Sequence, residues 1–421
     1  MLKKLQKYVS QHIKSIQEIE DNIFVILGSP AEGTLELDEQ GQLLSFSFHN
    51  EIIKEELLPI EELINVANQF VKEFDCRTLT LDGFVNVENY FMAIYEKLDD
   101  KLGLPIPNSG AMLTISPEGY ILSANFYREL YTLLYPEIKL TAEEAKGIIM
   151  KEQLIELTIQ TEPTYVYTYT PIHTIFGITV DGHLSTANDM IEIELPTWAP
   201  LPDIQVNQTL TELLQGNHLT DEIPKIIKVE NDAGYNYSVI AELNHEVGDP
   251  LPYNTLYNKA LQVLKILVVD YYTHYKLEEQ VYYDHIFQYS PFRSINKPME
   301  GTEDQFISFR FVYHFEKILL HEYAIEMTMG RRSGCFYNII VNTIDYAALK
   351  LIKKPRISLK TADTIFKNEM SLSLSFERVN LVNNVYSLVY LIDFPRTKAH
   401  IEKIDVNTGE ITYVETGFIE Y

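Results

Sequence analysis

The chain has 421 residues, 46% hydrophobic and 22% charged, enough for about two to four domains with sizeable cores, which excludes a disordered polymer. Against 34 Lys and Arg stand 60 Asp and Glu, a formal charge of −26. Such a surface keeps a chain soluble and repels nucleic-acid phosphates and anionic headgroups, so a basic partner, a cation or a peptide fits better.

The N-terminus, MLKKLQKYVSQHIKSIQEIED, starts with two lysines but has no apolar core. It reads as an amphipathic helix through Leu2, Leu5, Val9, Ile13 and Ile16 and not as a secretory signal. The apolar stretch ALQVLKILVV is broken by Lys265 and is too short to span a bilayer. Cys76 and Cys335 are the only cysteines, too few for a disulfide framework or a Cys-rich zinc site. Cytoplasmic residence and no membrane contact are the expectations. The 28 Tyr and 20 Phe favour sheets.

A hairpin opens the ordered chain, with Leu35 and Leu37, then Leu44, Phe46 and Phe48, alternating around Gly41. A helix is predicted from Pro59 to Phe74 on the spacing of Leu63, Ala67, Phe70, Val71 and Phe74. Strands follow in LTLDGFVNV, YFMAIYEKL and AMLTISPEGYILSANFY, the last folded at Gly119. Thr141 and Glu144 form a capping box for a second helix with Ala145, Ile148 and Ile149 inward. Strands IELTIQ, TYVYTYTPI and TIFGITV come next, then the apolar MIEIELP. The proline-rich PTWAPLP and the polar stretch after it break the chain in two.

The order then repeats. GYNYSVIAELN reads as a strand, Thr255 to His274 as a helix, and FISFRFVYHF as a strand with Phe309, Phe311, Tyr313 and Phe315 on one face. A hairpin, the helix SLKTADTIFKNE and four further strands complete the chain. Leu63, Ala67, Phe70, Val71 and Phe74 line up with Leu256, Ala260, Val263, Leu264 and Leu267 at one constant spacing. Thr141, Ala145, Ile148 and Ile149 line up with Ser358, Ala362, Ile365 and Phe366 at a longer one. The second half therefore carries an insertion, placed at the loop 288–304.

The last segment sets Ser358 at a helix start, Ala362 inside it, the strands LSLSF and SLVYLIDF, and a closing Asp405-Val-Asn-Thr-Gly-Glu410. TAEEA and YVYTY near Thr141, and LELDEQGQLLSFSF near Leu35, follow the same plan. This pattern resembles the YcdB/YcdC repeat family, whose units are similar to the PepSY domain. The resemblance implies helix-on-sheet units associated with peptidase propeptides and with binding or inhibiting peptidases. Members are commonly extracellular, a setting this N-terminus departs from.

Catalytic signatures are missing. Gly28-Ser-Pro-Ala-Glu-Gly33 has phosphate-loop glycine spacing, but Thr34 stands where Lys is required, so a turn is expected. No GxSxG, HExxH or GxGxxG stands in a useful context. His314 and His321, with Glu316 and Glu322, would share a face only in a helix, and strand alternation around Phe309 argues against one. His274, Tyr275, Tyr282, Tyr283, Asp284 and His285 read as the solvated end of a helix. Asn207 and Asn236 fit the glycosylation pattern, a match that arises easily by chance. Arg331 and Arg332 at a hairpin tip suit either a soluble turn or an acidic or phosphorylated partner. Tyr165, Tyr167 and Tyr169 share one strand face, for packing under a helix or for binding.

The expected fold is α+β: tandem PepSY-like units, each a helix on an antiparallel sheet, in two duplicated halves. The first half is 1–199, with units 22–130 and 138–196. A linker spans 200–232, and the second half is 233–421, with units 233–345 and 355–421. The expected function is a non-catalytic protein or peptide binding module, peptidase-inhibitory or chaperone-like, without cofactor or metal. Arg331, Arg332, Tyr165, Tyr167 and Tyr169 are its candidate binding residues. The alternatives are a structural protein that self-assembles through sheet edges and an enzyme with an acidic site.

Overall fold

A computed structural model describes residues 2–9, 13–28, 32–49, 57–75, 77–128, 130–172, 175–186, 197–214, 225–231, 234–240, 249–279, 306–380, 384–394 and 399–414. The loop 288–304, the stretch MIEIELP, Cys76 and the cluster from Tyr282 to His285 lie outside the described residues.

The first segment holds α1 (Leu2–Leu5), β1 (Ser15–Glu20), β2 (Ile23–Leu27), β3 (Glu32–Leu37), β4 (Leu43–His49), α2 (Ile60–Phe74), β5 (Thr80–Val87), β6 (Tyr90–Leu98), β7 (Pro105–Ile115) and β8 (Ile121–Phe126). Its strands form one antiparallel sheet in the order β1-β2-β3-β4-β8-β7-β6-β5. Leu63, Ala67, Phe70, Val71 and Phe74 are buried together with Phe46, Phe84 and Phe126. The predicted N-terminal helix is corrected: only Leu2–Leu5 is helical, and Ile16 lies on β1. Ile13 and Ile16 are three apart, which suits a helix, but the turn at Asn22, with φ of 63°, folds β1 back on β2.

The second segment holds β9 (Thr132–Leu133), α3 (Ala142–Ile149), β10 (Ile155–Gln160), β11 (Val166–Pro171), β12 (Ile175–Thr179) and β13 (Leu184–Thr186). The capping box forms as expected: the Thr141 hydroxyl accepts from the Glu144 amide at 3.3 Å, and the Glu144 carboxylate accepts from the Thr141 amide at 2.8 Å.

The third segment holds β14 (Thr197–Pro200), α4 (Leu210–Leu214), β15 (Lys225–Asn231), β16 (Gly234–Ile240), α5 (Tyr253–Leu267), α6 (Tyr271–His274), β17 (Tyr275–Glu279), β18 (Phe306–Phe315), β19 (Ile318–Gly330) and β20 (Phe336–Asn342). The sheet order is β14-β17-β18-β19-β20-β16-β15. The run β15-β16-β20-β19-β18-β17 beside α5 thus has the same chain order as β3-β4-β8-β7-β6-β5 beside α2. Two expectations change here. The helix from Thr255 to His274 is two helices, interrupted at Val268. The stretch 200–232, read as a linker, contains α4 and β15, and β15 is the edge strand of the sheet.

The fourth segment holds α7 (Tyr346–Leu349), α8 (Leu359–Glu369), β21 (Ser371–Asn380), β22 (Val385–Asp393), β23 (Ile401–Asp405) and β24 (Ile411–Tyr413). The second and fourth segments do not build separate sheets. One sheet runs β10-β11-β23-β24, with two strands from each segment; the other runs β13-β12-β22-β21 with β9 added beside β22, three strands from the second segment and two from the fourth. The joining registers are matched. Thr168 faces Asp405 and Tyr169 faces Ile404 in the first sheet; Val389 faces Thr179 and Tyr390 faces Ile178 in the second. Helix α3 packs on β21, and α8 packs on β10. Gly182 (φ 103°) and Gly409 (φ 77°) close the corresponding β12–β13 and β23–β24 turns with backbone that other residues rarely adopt.

The molecule is therefore a mixed helix and sheet protein with several antiparallel sheets and few helices. Among the described residues, no helix is long and apolar enough to cross a membrane.

Candidate functional site

The β10–β11 hairpin places the three tyrosines. β10 pairs with β11 from Ile155–Pro171 to Gln160–Val166, and residues 161–165 form the connecting turn. Tyr167 and Tyr169 are buried, so they are packing residues of the shared core. The Tyr167 hydroxyl donates to Glu316 Oε2 at 2.9 Å, and burial, followed by this carboxylate, pushes its pKa up to about 12. Tyr169 donates to the Ile357 carbonyl at 2.8 Å. Tyr165 is half-buried at the turn; its hydroxyl accepts from the Asp345 amide at 3.3 Å, and its ring centroid lies 6.4 Å from that of Tyr323.

The third segment's sheet supplies the facing wall. Glu316 and Lys317 link β18 to β19 with φ of 47° and 78°, the doubly left-handed conformation of a two-residue hairpin that favours Asn and Gly. The Tyr167 hydroxyl thus anchors a turn that neither residue favours. Further along β19 the register jumps: Tyr313 faces Leu320, while Val312 faces Ala324, which leaves His321, Glu322 and Tyr323 as a bulge. The bulge is tied down on several sides. Arg310 donates to the His321 carbonyl at 2.7 Å, Asn342 to the Glu322 carbonyl at 2.8 Å, and Thr161 to Glu322 Oε2 at 2.9 Å. The β10–β11 turn is therefore held against the bulge.

Two cavities flank this turn. One, of about 650 Å³, lies among Tyr165, Val166, Leu351, Lys353 and Asp405. The other, of about 530 Å³, lies among Gln160, Glu162, His321, Glu322 and Glu402. The first is bounded by apolar side chains that face water: Leu351 is 81% exposed and Val166 44%. The second carries three carboxylates. His321 is held below its usual pKa by burial and then by the nearby Arg310 cation, so its imidazole is neutral at pH 7.

The arginine tip is elsewhere. Arg331 and Arg332 follow β19 at the end opposite Glu316, where the Arg331 carbonyl accepts from the Leu251 amide at 2.9 Å. Arg331 is exposed and Arg332 half-buried. The structure thus separates them from the tyrosines. Beside them Lys259 of α5 donates to the Gly334 carbonyl at 2.6 Å, and burial pushes its pKa down to about 8. Cys335 is buried in the turn just before β20. His314 lies on β18, and His274 stacks on Tyr313 at 5.6 Å. Among the described residues, no group of three or more His, Cys, Asp or Glu is placed to hold a metal ion.

Sequence reasoning missed Leu351, Val166 and the bulge. A signal for Leu351 exists: an apolar residue follows the capped Asp-Tyr-Ala-Ala turn that begins at Asp345, and it continues no buried stripe.

These features define a class, an α+β protein of interlocked antiparallel sheets with a partly apolar groove at a hairpin turn. No protein-family model matches the chain. Over 187 residues, 41% of this chain, it is 30% identical to the uncharacterized protein YcdC of Bacillus subtilis (strain 168), a distant similarity covering 39% of that protein. The match thus spans well under two thirds of YcdC. Among solved structures, the Bacillus megaterium YpeB C-terminal domain aligns at 16% identity with a TM-score of 0.26, over 42% of this chain and 80% of that domain.

Proposed function

We propose that this protein is a non-catalytic module that engages an extended protein or peptide segment, in a peptidase-inhibitory or chaperone-like role. The observation that carries this reading is the groove beside Val166 and Leu351, where apolar side chains stay in water next to a sheet edge. Several polar groups around it are engaged in holding the fold. Thr161 bonds Glu322, Tyr167 bonds Glu316, and Asp405 Oδ1 accepts from the Asn407 and Thr408 amides of its own turn. Groups so committed suit recognition better than proton transfer.

The same reading takes the chain as an internal duplication, with the first and third segments as one related pair and the second and fourth as another. The matched strand orders and joining registers support it. Self-assembly through sheet edges is the lesser reading. Val229 on the edge strand β15 is exposed, but the Lys228–Glu230 ion pair on that strand blunts edge-to-edge pairing.

The test is anisotropy of fluorescently labelled, reduced and carboxymethylated α-lactalbumin titrated with the full chain. Saturable binding is expected. Absence of binding at high protein concentration contradicts the reading.

A further inference from the structure

We infer that the open edge from Pro163 to Tyr167, the last turn residues and the start of β11, accepts an extended polypeptide strand, running parallel to β11 and laying apolar side chains against Val166 and Leu351. This deepens the binding reading above and rests on it. The second and fourth segments place corresponding residues in corresponding settings. The Tyr169 hydroxyl donates to the Ile357 carbonyl at 2.8 Å, and the Tyr390 hydroxyl to the Leu140 carbonyl at 2.7 Å. Gln160 faces Val166 on one ladder, and Glu377 faces Ser387 on the other. In this correspondence Tyr165 is the counterpart of Tyr386, and Pro163 that of Asn384.

At β22 the edge is filled. β12 covers Val389 to Leu391, and beyond it β9 pairs in parallel, Thr132 opposite Val385 and Leu133 opposite Tyr386. The Thr132 amide donates to the Asn384 carbonyl and the Leu134 amide to the Tyr386 carbonyl, both at 2.8 Å. Leu133 and Tyr131 pack on the core behind.

At β11 the corresponding edge is open. β23 covers Thr168 and Tyr169, and among the described residues no strand pairs beyond them toward Pro163. The stretch corresponding to β9 is 349–350, taking Leu140 and Ile357 as matched points, and there the chain is diverted. Asp345 caps α7 by accepting from the Ala347 and Ala348 amides, both at 3.0 Å. Alanines favour this helical turn, whereas Leu-Tyr-Thr-Leu-Leu-Tyr at 130–135 favours a strand. The result is the groove of about 650 Å³ between β11, residues 351–353 and the turn after β23. Leu351, the counterpart of Leu134, is left 81% exposed. The carbonyls of Pro163 and Tyr165 are the counterparts of the two acceptors that hold β9. Main-chain bonds would supply affinity, and the apolar groove would select alternate side chains. Glu162, Glu322 and Glu402 beside the turn favour a basic residue at the N-terminal end of the incoming strand.

The probe is a fluorescent peptide Lys-Leu-Tyr-Thr-Leu-Leu-Tyr-Lys, which copies residues 130–135 between two lysines. It is titrated into the full chain, and hydrogen exchange is read by segment. Saturable binding is expected, with slowed exchange at 164–167. Leu351→Asp, at an exposed site, should weaken binding about tenfold, as expected for losing one buried apolar contact. Leu130→Asp, at another exposed leucine, should change it less than about twofold on the same scale. Protection at 384–387 in place of 164–167, or indifference to Leu351→Asp, overturns the groove and leaves polypeptide binding standing. Failure of the peptide to bind while carboxymethylated α-lactalbumin binds has the same meaning. Failure of both overturns both readings.

Discussion

The Tyr169 hydroxyl donates to the Ile357 carbonyl at 2.8 Å, reaching from β11 to the residue just ahead of the helix cap Ser358. Tyr390 makes the reciprocal bond, from β22 to the Leu140 carbonyl just ahead of Thr141, the cap of α3. Each segment thus fixes the start of the other's helix. The second and fourth segments fold as one body, although Thr197–Asn342 stands between them in sequence.

Tyr169→Phe keeps the buried ring and leaves the Ile357 carbonyl without this donor. A loss of about 1–2 kcal/mol is expected from a missing hydrogen bond at a buried site. The urea midpoint should fall with an unchanged slope. Tyr390→Phe should cost a similar amount, and non-additivity of the double variant would report coupling of the two braces.

Asp75 is buried and paired with Arg77 at 2.6 Å, with Arg128 a further 3.6 Å contact. Burial alone would raise its pKa, but the hydrogen bonds and charge of Arg77, with Arg128 behind them, hold it below the ordinary value. A depressed carboxylate stabilises fully above its unfolded pKa of about 4 and loses that contribution as pH falls through the folded value. Arg77→Ala is expected to cost about 3 kcal/mol at pH 7 by stranding a buried charge. The gap in stability between the two proteins should narrow as pH is lowered below 4, measured by urea titration.

Lys259 behaves in the opposite sense. Its pKa of about 8 lies below the unfolded value, so a charged Lys259 burdens the fold below pH 8, and stability rises as pH climbs above it. Wild type should gain stability between about pH 7 and 9. Lys259→Met should remove that rise while keeping the aliphatic packing on α5. An unchanged slope in the variant would contradict the assignment.

Asp345→Ala removes the cap of α7. A loss of about 1 kcal/mol is expected for such a cap. Faster amide exchange at 346–350, with little change in the β21–β22 ladder, would localise the effect.

Local chemistry was legible in the sequence. Thr141 and Glu144 announce a capping box because both partners sit within one turn. The stripes of α2 and α5 are legible because a buried face repeats every three or four residues. Ile13 and Ile16 misled because Ile13 lies ahead of β1 and Ile16 on it, so their helical spacing of three reflects no shared face. The exchange of strands was not legible: Thr168 meets Asp405 across more than half the chain, and antiparallel edges carry no address for their partner. Tyr167 and Tyr169 turned out to be packing residues with bonded hydroxyls, one of the two roles their alternation allowed. The groove arises from a contrast between distant segments, strand-forming residues at 130–135 against a capped alanine turn at 345–349, which neither stretch discloses alone.

The most direct measurement follows carboxymethylated α-lactalbumin with the full chain over many hours, by sedimentation for the complex and by mass spectrometry for the probe. A stable complex with the probe intact is the expected result. Cleavage of the probe, or sedimentation of the two components apart at high concentration, would contradict a non-catalytic polypeptide-binding module.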